Sequence, residues 1–296
     1  SIVRNFINDD AGKLITYMEQ VRAIGNDEAA EAAMARAYEI ANNNTFVTLR
    51  YASLLLDLQS NDKAKRLLAN ISKEQQQSAV YHFLAGRLNA NLGKSESAVN
   101  AYKRALAIDP SFAQAFIAIY NYALNEQFVD VFLNTARKMV EKNANNLLAK
   151  NLLAQYLFFI LDFEESTALY EELVKEPNLL NPAEAYNRLA IMSIEASLVT
   201  ARNYAQKAYE LQPNSASILN TYGHIKALRG DFEQSLQMLR DAFARDAKDP
   251  NIRYHLGFTL AKLGRIDEAK KELEYAVNVE RPFFKRPQAK ALLESL

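Results

Sequence analysis

The side chains best suited to catalysis or metal binding are few and scattered along the chain. It has three histidines, His82, His224 and His255, and no cysteine. No HExxH pair, glycine-rich phosphate loop or GxSxG elbow accompanies them. The paired carboxylates Glu164–Glu165 and Glu171–Glu172 have the chemistry of an acid and a base, but they fall on the solvated face of an outer helix. We therefore expect no enzyme, no metal site and no cofactor.

Composition narrows the class of protein further. Basic and acidic residues balance at 35 each, and no basic stripe typical of nucleic-acid binding is present. No apolar run reaches the roughly 18 residues of a membrane span. The lack of cysteine excludes disulfides, thiol catalysis and cysteine-ligated zinc. Hydrophobic residues make up 49% and charged residues 24%, with only 8 Gly and 7 Pro. This composition favours a folded chain of long helices.

The elements that hold these residues are set by an internal repeat. Its clearest unit is residues 79–112, with Gly86, Gly93 and Tyr102 at positions 8, 15 and 24. Stepping by 34 residues finds the same landmarks elsewhere, with a small insertion around residues 178–182. Units are predicted to start near residues 11, 45, 79, 113, 147, 183, 216 and 250.

Small residues recur at positions 8, 20 and 27 of these units, as in Gly86, Ala98 and Ala105. Small side chains let two antiparallel helices approach closely, while a larger residue at position 24 fills the remaining space. Glycine at position 15, as in Gly93, suits the end of a helix and the turn after it. Each unit is therefore predicted to be a helical hairpin.

These columns resemble the tetratricopeptide repeat over nearly the whole chain, although the tryptophan that this family often has at position 4 is missing. The resemblance implies an all-α fold, a right-handed superhelical solenoid of about eight helix–turn–helix repeats in residues 11–283. Residues 284–296 are predicted to form a C-terminal capping helix, with Ala289, Leu292 and Leu293 at helical spacing. Each hairpin would be stabilised by stacking on its neighbours.

Two parts of the array leave alternatives open. Residues 1–10, with Ile2, Val3, Phe6 and Ile7, are either an N-terminal arm or the remnant of a preceding repeat's helix. Repeat four has Tyr120, Phe132 and Met139 where small residues are expected. This repeat is interpreted either as a locally repacked core or as a bend in the superhelix.

In this family, positions 2, 5, 9, 12 and 13 of the first helices point into a concave groove, and these positions supply the predicted binding site. Amides there would hydrogen-bond an extended peptide, while aromatic rings would hold its side chains or stack on sugars. Alternatively, the amides are only solvated and some rings form contacts between hairpins. The predicted residues are Phe46, Phe83, Arg87, Asn91, Asn121, Asn125, Asn151, Gln155, Phe159, Asn220, His224, Tyr254 and Phe258, with Lys262 as a further donor.

Co-chaperone members of the family grip a terminal carboxylate with a lysine at position 5. In this chain that position is occupied by Ile15, Leu49, Phe83, Ile117, Asn151, Asn220 and Tyr254 in the clearly registered repeats. The chain is therefore not expected to bind the C-terminal peptide of a chaperone. The partner that we expect is another protein or peptide.

The last stretch of the sequence carries a second resemblance. Residues 249–256, the run LAKLGRIDEAKKELEYAV and the terminal RPQAKALLESL resemble the C-terminus of bacterial tetratricopeptide lipoproteins of the PEP-CTERM/exosortase and exopolysaccharide export systems. This resemblance implies a periplasmic or outer-membrane-anchored location and an upstream anchor, and a cytoplasmic location stays open. The chain starts at Ser1 without a visible signal peptide. The predicted function is a protein-binding scaffold, and the alternative is an envelope component whose groove contacts a glycan.

Overall fold

The computed structural model describes residues 10–41, 44–281 and 283–296. These residues form α-helices, one short 3-10 helix at Gln75–Gln77 and no strand, so the all-α prediction is confirmed. The helices are α1 (Ala11–Ala23), α2 (Asp27–Ile40), α3 (Thr45–Asp57), α4 (Asn61–Ala69), α5 (Ala79–Asn91), α6 (Ser95–Ile108), α7 (Ala113–Leu124), α8 (Val129–Lys142), α9 (Leu147–Phe159), α10 (Phe163–Leu173), α11 (Pro182–Ser193), α12 (Leu198–Leu211), α13 (Ala216–Leu228), α14 (Phe232–Arg245), α15 (Pro250–Lys262), α16 (Ile266–Asn278) and α17 (Arg286–Glu294).

Consecutive helices pair into hairpins, numbered here one to eight from α1–α2 to α15–α16. The chain divides within α8 into an N-terminal unit that ends at Met139 and a C-terminal unit that begins at Val140. In the N-terminal unit, the second helix of each hairpin contacts the first helix of the next, and α3 also contacts α5. The C-terminal unit stacks in the same way, with direct contacts of α11 with α13 and of α13 with α15. In each of these three pairs, the first helices of successive hairpins lie side by side.

Short polar residues start many of the helices. Asp10 accepts hydrogen bonds from the backbone N–H of Gly12 and Lys13 at 2.8 and 3.1 Å, and Asn146 caps α9 in a similar way. The turns inside four hairpins use glycine at positive φ, as at Gly93 (φ 71°). In hairpin five this conformation falls on Leu161 (φ 65°) instead.

Close helix packing explains the small residues at position 8. A Cβ atom added to Gly86 would lie 2.4 Å from the ring of Tyr102, the residue at position 24 of the same hairpin. At Gly257 the added atom would lie 2.8 Å from Leu273 Cγ. Such distances are far below van der Waals contact, so the predicted fit between small and large residues is present in the hairpins.

Hairpin four packs around aromatic rings. Phe132 on α8 is fully buried, and its ring centroid lies 5.6 Å from that of Phe116 and 5.2 Å from that of Tyr120 on α7. Its turn has two non-glycine residues at positive φ, Glu126 and Phe128. These contacts agree with a repacked core, while the bend stays a prediction. The predicted N-terminal arm at residues 1–9 lies outside the described residues.

The C-terminal helix α17 packs against α16. Ala289 is fully buried beside Leu273 and Ala276. The link between the two helices is held by the Arg286 guanidinium, which donates to the carbonyl oxygens of Val277, Val279 and Arg281 at 2.6, 2.6 and 2.8 Å. Over the described ranges, no helix has the length and apolar character needed to cross a membrane.

Candidate binding surface

The surface formed by positions 2, 5, 9, 12 and 13 of the first helices is termed here the first-helix face. Except for Asn125, which directly follows α7, all the predicted binding residues lie within first helices. Phe46 and Phe159 are 63% and 47% exposed, and Asn91, Asn121 and Asn125 are exposed as well. Asn220 is buried, and the remaining predicted residues are half-buried.

In the N-terminal unit, charged side chains link three successive first helices. Asp57 on α3 pairs with Arg22 on α1 at 2.6 Å and also with Arg87 on α5. Arg87 donates a further hydrogen bond to Ser53 Oγ at 3.2 Å. Arg87 therefore ties two hairpins together in addition to facing solvent. A shallow pocket beside these pairs is lined by Met18, Glu19, Arg22, Ala23, Arg50, Ser53 and Leu54.

Two of the predicted amides are engaged inside the array. Asn91 Nδ2 donates to the Leu56 carbonyl oxygen at 3.1 Å and to Asn61 Oδ1 at 2.9 Å, which joins hairpin three to hairpin two. Asn125 Nδ2 donates to the carbonyl oxygen of Asn121 at 2.8 Å. The Oδ1 atoms of both amides and the second Nδ2 hydrogen of Asn125 remain for a ligand.

The predicted aromatic residues differ in their surroundings. The ring of Phe83 lies 5.8 Å from that of Tyr102 and 5.4 Å from that of Phe112, the residue just before α7. Phe83 thus helps to stack hairpin three on hairpin four, as the alternative interpretation of these rings expected. The ring of Phe159 lies 6.2 Å from that of Tyr156, and the residue is 47% exposed to solvent.

The densest polar cluster joins hairpins seven and eight. The rings of His224 on α13 and His255 on α15 stack with centroids 3.7 Å apart and planes 10° from parallel. His255 Nδ1 donates to Asn220 Oδ1 at 2.8 Å, and the ring of Phe258 lies 6.0 Å from that of His224. Tyr254 lies 5.3 Å from His255. The structure thus brings together four of the predicted residues around His255.

Both stacked histidines are neutral near pH 7. Burial lowers the pKa of His224 to about 4, and the positive charge of Lys285 acts in the same direction. Burial, His224 and Lys285 together hold the pKa of His255 well below its ordinary value. Within the described part of the chain, the buried Nδ1 of His224 has no hydrogen-bond partner. A proton there would add an unsatisfied donor, which favours the neutral tautomer with its hydrogen on Nε2.

The sequence analysis did not predict several residues of this surface. Phe283, whose ring lies 5.9 Å from that of Tyr254, and Lys285 follow the last repeat and have no position in its register. Arg22 and Asp57 occupy positions 12 and 13 of neighbouring repeats. Their opposite charges at these positions could have predicted the ion pair from the sequence. His255 at position 6 faces the neighbouring hairpin.

The surface offers hydrogen-bonding groups, ring edges and ammonium groups, which are suited to recognition. No group of three or more His, Asp or Glu side chains is placed to hold a metal ion in the part of the chain that the structure describes.

Comparison with known proteins identifies the repeats. Profiles described as "Tetratricopeptide repeat" match residues 226–296 and 79–112. A curated relative, the TPR repeat-containing protein YpiA of Bacillus subtilis (strain 168), is 24% identical over 267 residues. That match covers 88% of this chain and 61% of the relative, so the chain spans less than two thirds of the relative's length.

Solved structures show the same fold at low identity. The APC/C hetero-tetramer Cut9–Hcn1 matches with 14% identity and a TM-score of 0.56, over 95% of this chain and 55% of that one. Pseudomonas aeruginosa pilF matches with 16% identity and a TM-score of 0.57, over 72% of this chain and 97% of that one. A tetratricopeptide repeat protein from Parabacteroides merdae matches with 17% identity and a TM-score of 0.50, over 84% and 98%. Tetratricopeptide repeats are thus identified at residues 79–112 and 226–296, and the chain as a whole has the fold of a tetratricopeptide-repeat solenoid.

Proposed function

We propose that this chain is a non-catalytic scaffold that holds a peptide or protein partner along its first-helix face. Tetratricopeptide repeats and their structural relatives support a protein-interaction scaffold, and the repeat family as a whole favours a role without catalysis. The stacking of hairpins leaves side chains exposed on several first helices, among them Phe46 on α3, Asn121 on α7 and Phe159 on α9. These exposed residues are the natural place for a partner chain to bind.

The observation that carries the proposal is the exposure of large aromatic side chains among amides on this face. Phe46 on α3 and Phe159 on α9 are 63% and 47% exposed. Asn121 on α7 is exposed, and Asn151 is half-buried on α9. Exposed rings next to amides are typical of binding surfaces, since the rings gain from burial while the amides pair with a peptide backbone.

The ring contacts favour a polypeptide over a glycan. Sugar stacking needs an open ring face, and the Lys262 ammonium lies 5.6 Å from the centroid of the Phe258 ring. Phe83 is packed between Tyr102 and Phe112. Among the predicted binding rings that the structure describes, Phe46 and Phe159 are the exposed ones, and the alternative proposal, a carbohydrate-associated component, depends on these two residues.

We further propose that the scaffold serves a bacterial envelope system that exports exopolysaccharide or surface proteins. The support is the resemblance of residues 249–296 to the lipoproteins of such systems. Sequencing the complete gene and its neighbourhood tests this assignment. A lipobox cysteine upstream with export genes alongside is the expected result, and a gene with neither would overturn it.

A selection from a random peptide library tests the binding proposal. The affinity for the selected peptides should fall by about tenfold or more when Phe46, Asn121 or Phe159 is changed to alanine, as it does for interface residues that lose a buried contact. Two exposed residues on second helices are matched controls, Val199→Ala on α12 for the rings and Asn134→Ala on α8 for the amides. Peptides that lose affinity in the controls but not in the first-helix variants would refute the proposal.

A further inference from the structure

We propose that hairpins seven and eight bind an acidic segment of the partner polypeptide, with its Asp or Glu side chains paired to Lys262 and Lys285. This inference rests on the proposed function and names the chemistry of the ligand at one part of the first-helix face. It differs from the carboxylate grip of co-chaperone repeats, because the ligand groups are side chains and Lys285 lies outside the repeats.

The charges of the first helices here have one sign. Neither α13 nor α15 contains an Asp or Glu, while Lys226, Arg253 and Lys262 supply positive charge. Lys226 donates to Gln234 Oε1 at 2.8 Å, and Arg253 pairs with Glu272 at 2.6 Å. Lys262 and Lys285 are both exposed, and neither has an ion-pair partner among the described residues. These two ammonium groups are available to an acidic ligand.

Lys285 is held close to the histidine stack by the segment between α16 and α17. Arg286 fixes this segment through three carbonyl oxygens, and the buried Phe283 packs against Tyr254. Phe283, two residues before Lys285, thereby lies next to Tyr254, whose ring is 5.3 Å from that of His255. The charge of Lys285 also lowers the pKa of both His224 and His255. Lys262 lies over Phe258, whose ring is also a neighbour of His224. Both lysines therefore border the same cluster of rings.

The surroundings strengthen an ion pair formed there. The neutral, half-buried rings of His224, Tyr254 and Phe258 form a surface with little water beside the lysines. Charges that meet over an apolar surface attract more strongly than charges in open water. An acidic peptide suits this site better than a sugar, because the Phe258 ring is already occupied by Lys262.

Fluorescence anisotropy with synthetic peptides on the full chain tests the inference. The probe is a rhodamine-labelled, C-terminally amidated peptide of alternating Asp and Ser, and its control replaces each Asp with Asn. We expect the Asp peptide to bind and the Asn peptide to bind at least about tenfold more weakly, with an affinity that falls as salt rises. Amidation removes the terminal carboxylate, so binding reports the side chains alone.

Variants then locate the site. Lys262→Gln and Lys285→Gln should each weaken binding of the Asp peptide by about threefold to tenfold. Lys271→Gln, an exposed lysine on the second helix α16, is the matched control and should leave affinity unchanged. Equal affinity of the three variants would overturn the inference. Oligogalacturonate that binds through Lys262 and Lys285 while the Asp peptide does not would overturn the choice of a peptide.

The two proposals fail in different ways. If library peptides bind the first-helix face but the Asp peptide does not bind, the acidic site is wrong and the scaffold proposal stands. If no peptide of either kind depends on first-helix residues, both proposals are wrong.

Discussion

His224 and His255 are held as neutral rings in a place where a proton costs free energy. Their stack, 3.7 Å between centroids, brings two basic groups together beside the cation of Lys285. An imidazole that is neutral in the folded chain and charged in the unfolded chain makes stability depend on pH. We therefore expect these two histidines to make the stability of the fold depend on acid.

The pKa of His224 predicts the direction and range of that effect. Because its pKa falls from 6.5 to about 4 on folding, the unfolded chain takes up the proton first as the pH decreases. Stability contributed by the neutral ring is complete above about pH 6.5 and is lost progressively down to about pH 4, by about 3 kcal/mol. Urea unfolding between pH 7.5 and pH 4 measures this loss.

His224→Phe is the matched variant, since it keeps the ring stack and removes the titrating group. Its free energy of unfolding should change less than that of the wild type across the same pH range, by up to about 3 kcal/mol. Contributions from the carboxylates and from His82 are common to both proteins and cancel in the comparison, whereas His255 also loses the effect of its neighbour His224 on its pKa. Identical pH profiles would show that His224 does not titrate as its environment implies.

Leu161 carries backbone strain at the turn of hairpin five. It adopts φ 65° where other turns of the chain have glycine, and its side chain is 53% exposed. A left-handed conformation costs a residue with a Cβ roughly 1–2 kcal/mol. Glycine adopts this conformation without that strain, and its cost is mainly the larger conformational entropy that it loses on folding.

Leu161→Gly should therefore stabilise the chain by about 0.5–1 kcal/mol, measured by urea unfolding. Leu161→Ala is the control, because alanine pays the same left-handed cost and gains nothing. If the alanine variant is stabilised as much as the glycine variant, the strain is not the cause.

At the scale of the element, the hairpin depends on the contact between positions 8 and 24. Gly86 leaves no room for a methyl group beside the Tyr102 ring. Hairpin two combines Ala52 with Leu68 at the same two positions, so a smaller partner accommodates a Cβ. The size of the residue at position 24 thus determines whether the residue at position 8 can have a Cβ atom.

Gly86→Ala should destabilise the chain by about 1–3 kcal/mol, because the added methyl group forces α5 and α6 apart or distorts Tyr102. In a Tyr102→Leu background the same change should cost clearly less. Equal costs of Gly86→Ala in the two backgrounds, measured by denaturant unfolding, would show that the two residues are not coupled.

Within each unit of the chain, hairpins are stabilised by their neighbours in sequence. The contacts within each unit run from one hairpin to the next, which makes folding of the array a nearest-neighbour problem. At its C-terminal side the role of a neighbouring hairpin is taken by α17, whose Ala289 is fully buried against α16.

Ala289→Glu should release α17 and expose the apolar residues of α16, since a carboxylate cannot be accommodated unpaired in that contact. Hydrogen exchange should then accelerate in α16 and α17 while hairpins one to three keep their protection. Gln288→Glu, which adds the same charge at an exposed position of α17, is the control. Uniform loss of protection along the chain would contradict the nearest-neighbour description.

The fold and the positions of the hairpins' small residues follow from the sequence alone, because close packing repeats every 34 residues and requires a small residue at the same positions of each repeat. Gly86, Gly93 and Tyr102 could be assigned roles from spacing alone. Their contacts are local, within one hairpin, so sequence distance and spatial distance agree.

The tertiary structure was needed to show which residues of the first-helix face contact other residues of the chain and which are exposed to solvent. The pairing of Arg87 with Asp57, the stack of His224 on His255 and the placement of Lys285 each join residues 30 or more apart in sequence. Such contacts depend on how one hairpin is rotated and shifted against the next, and a repeat pattern carries no record of that. For Lys285 the pattern had already ended, and its position was set by the fold of the segment that Arg286 holds.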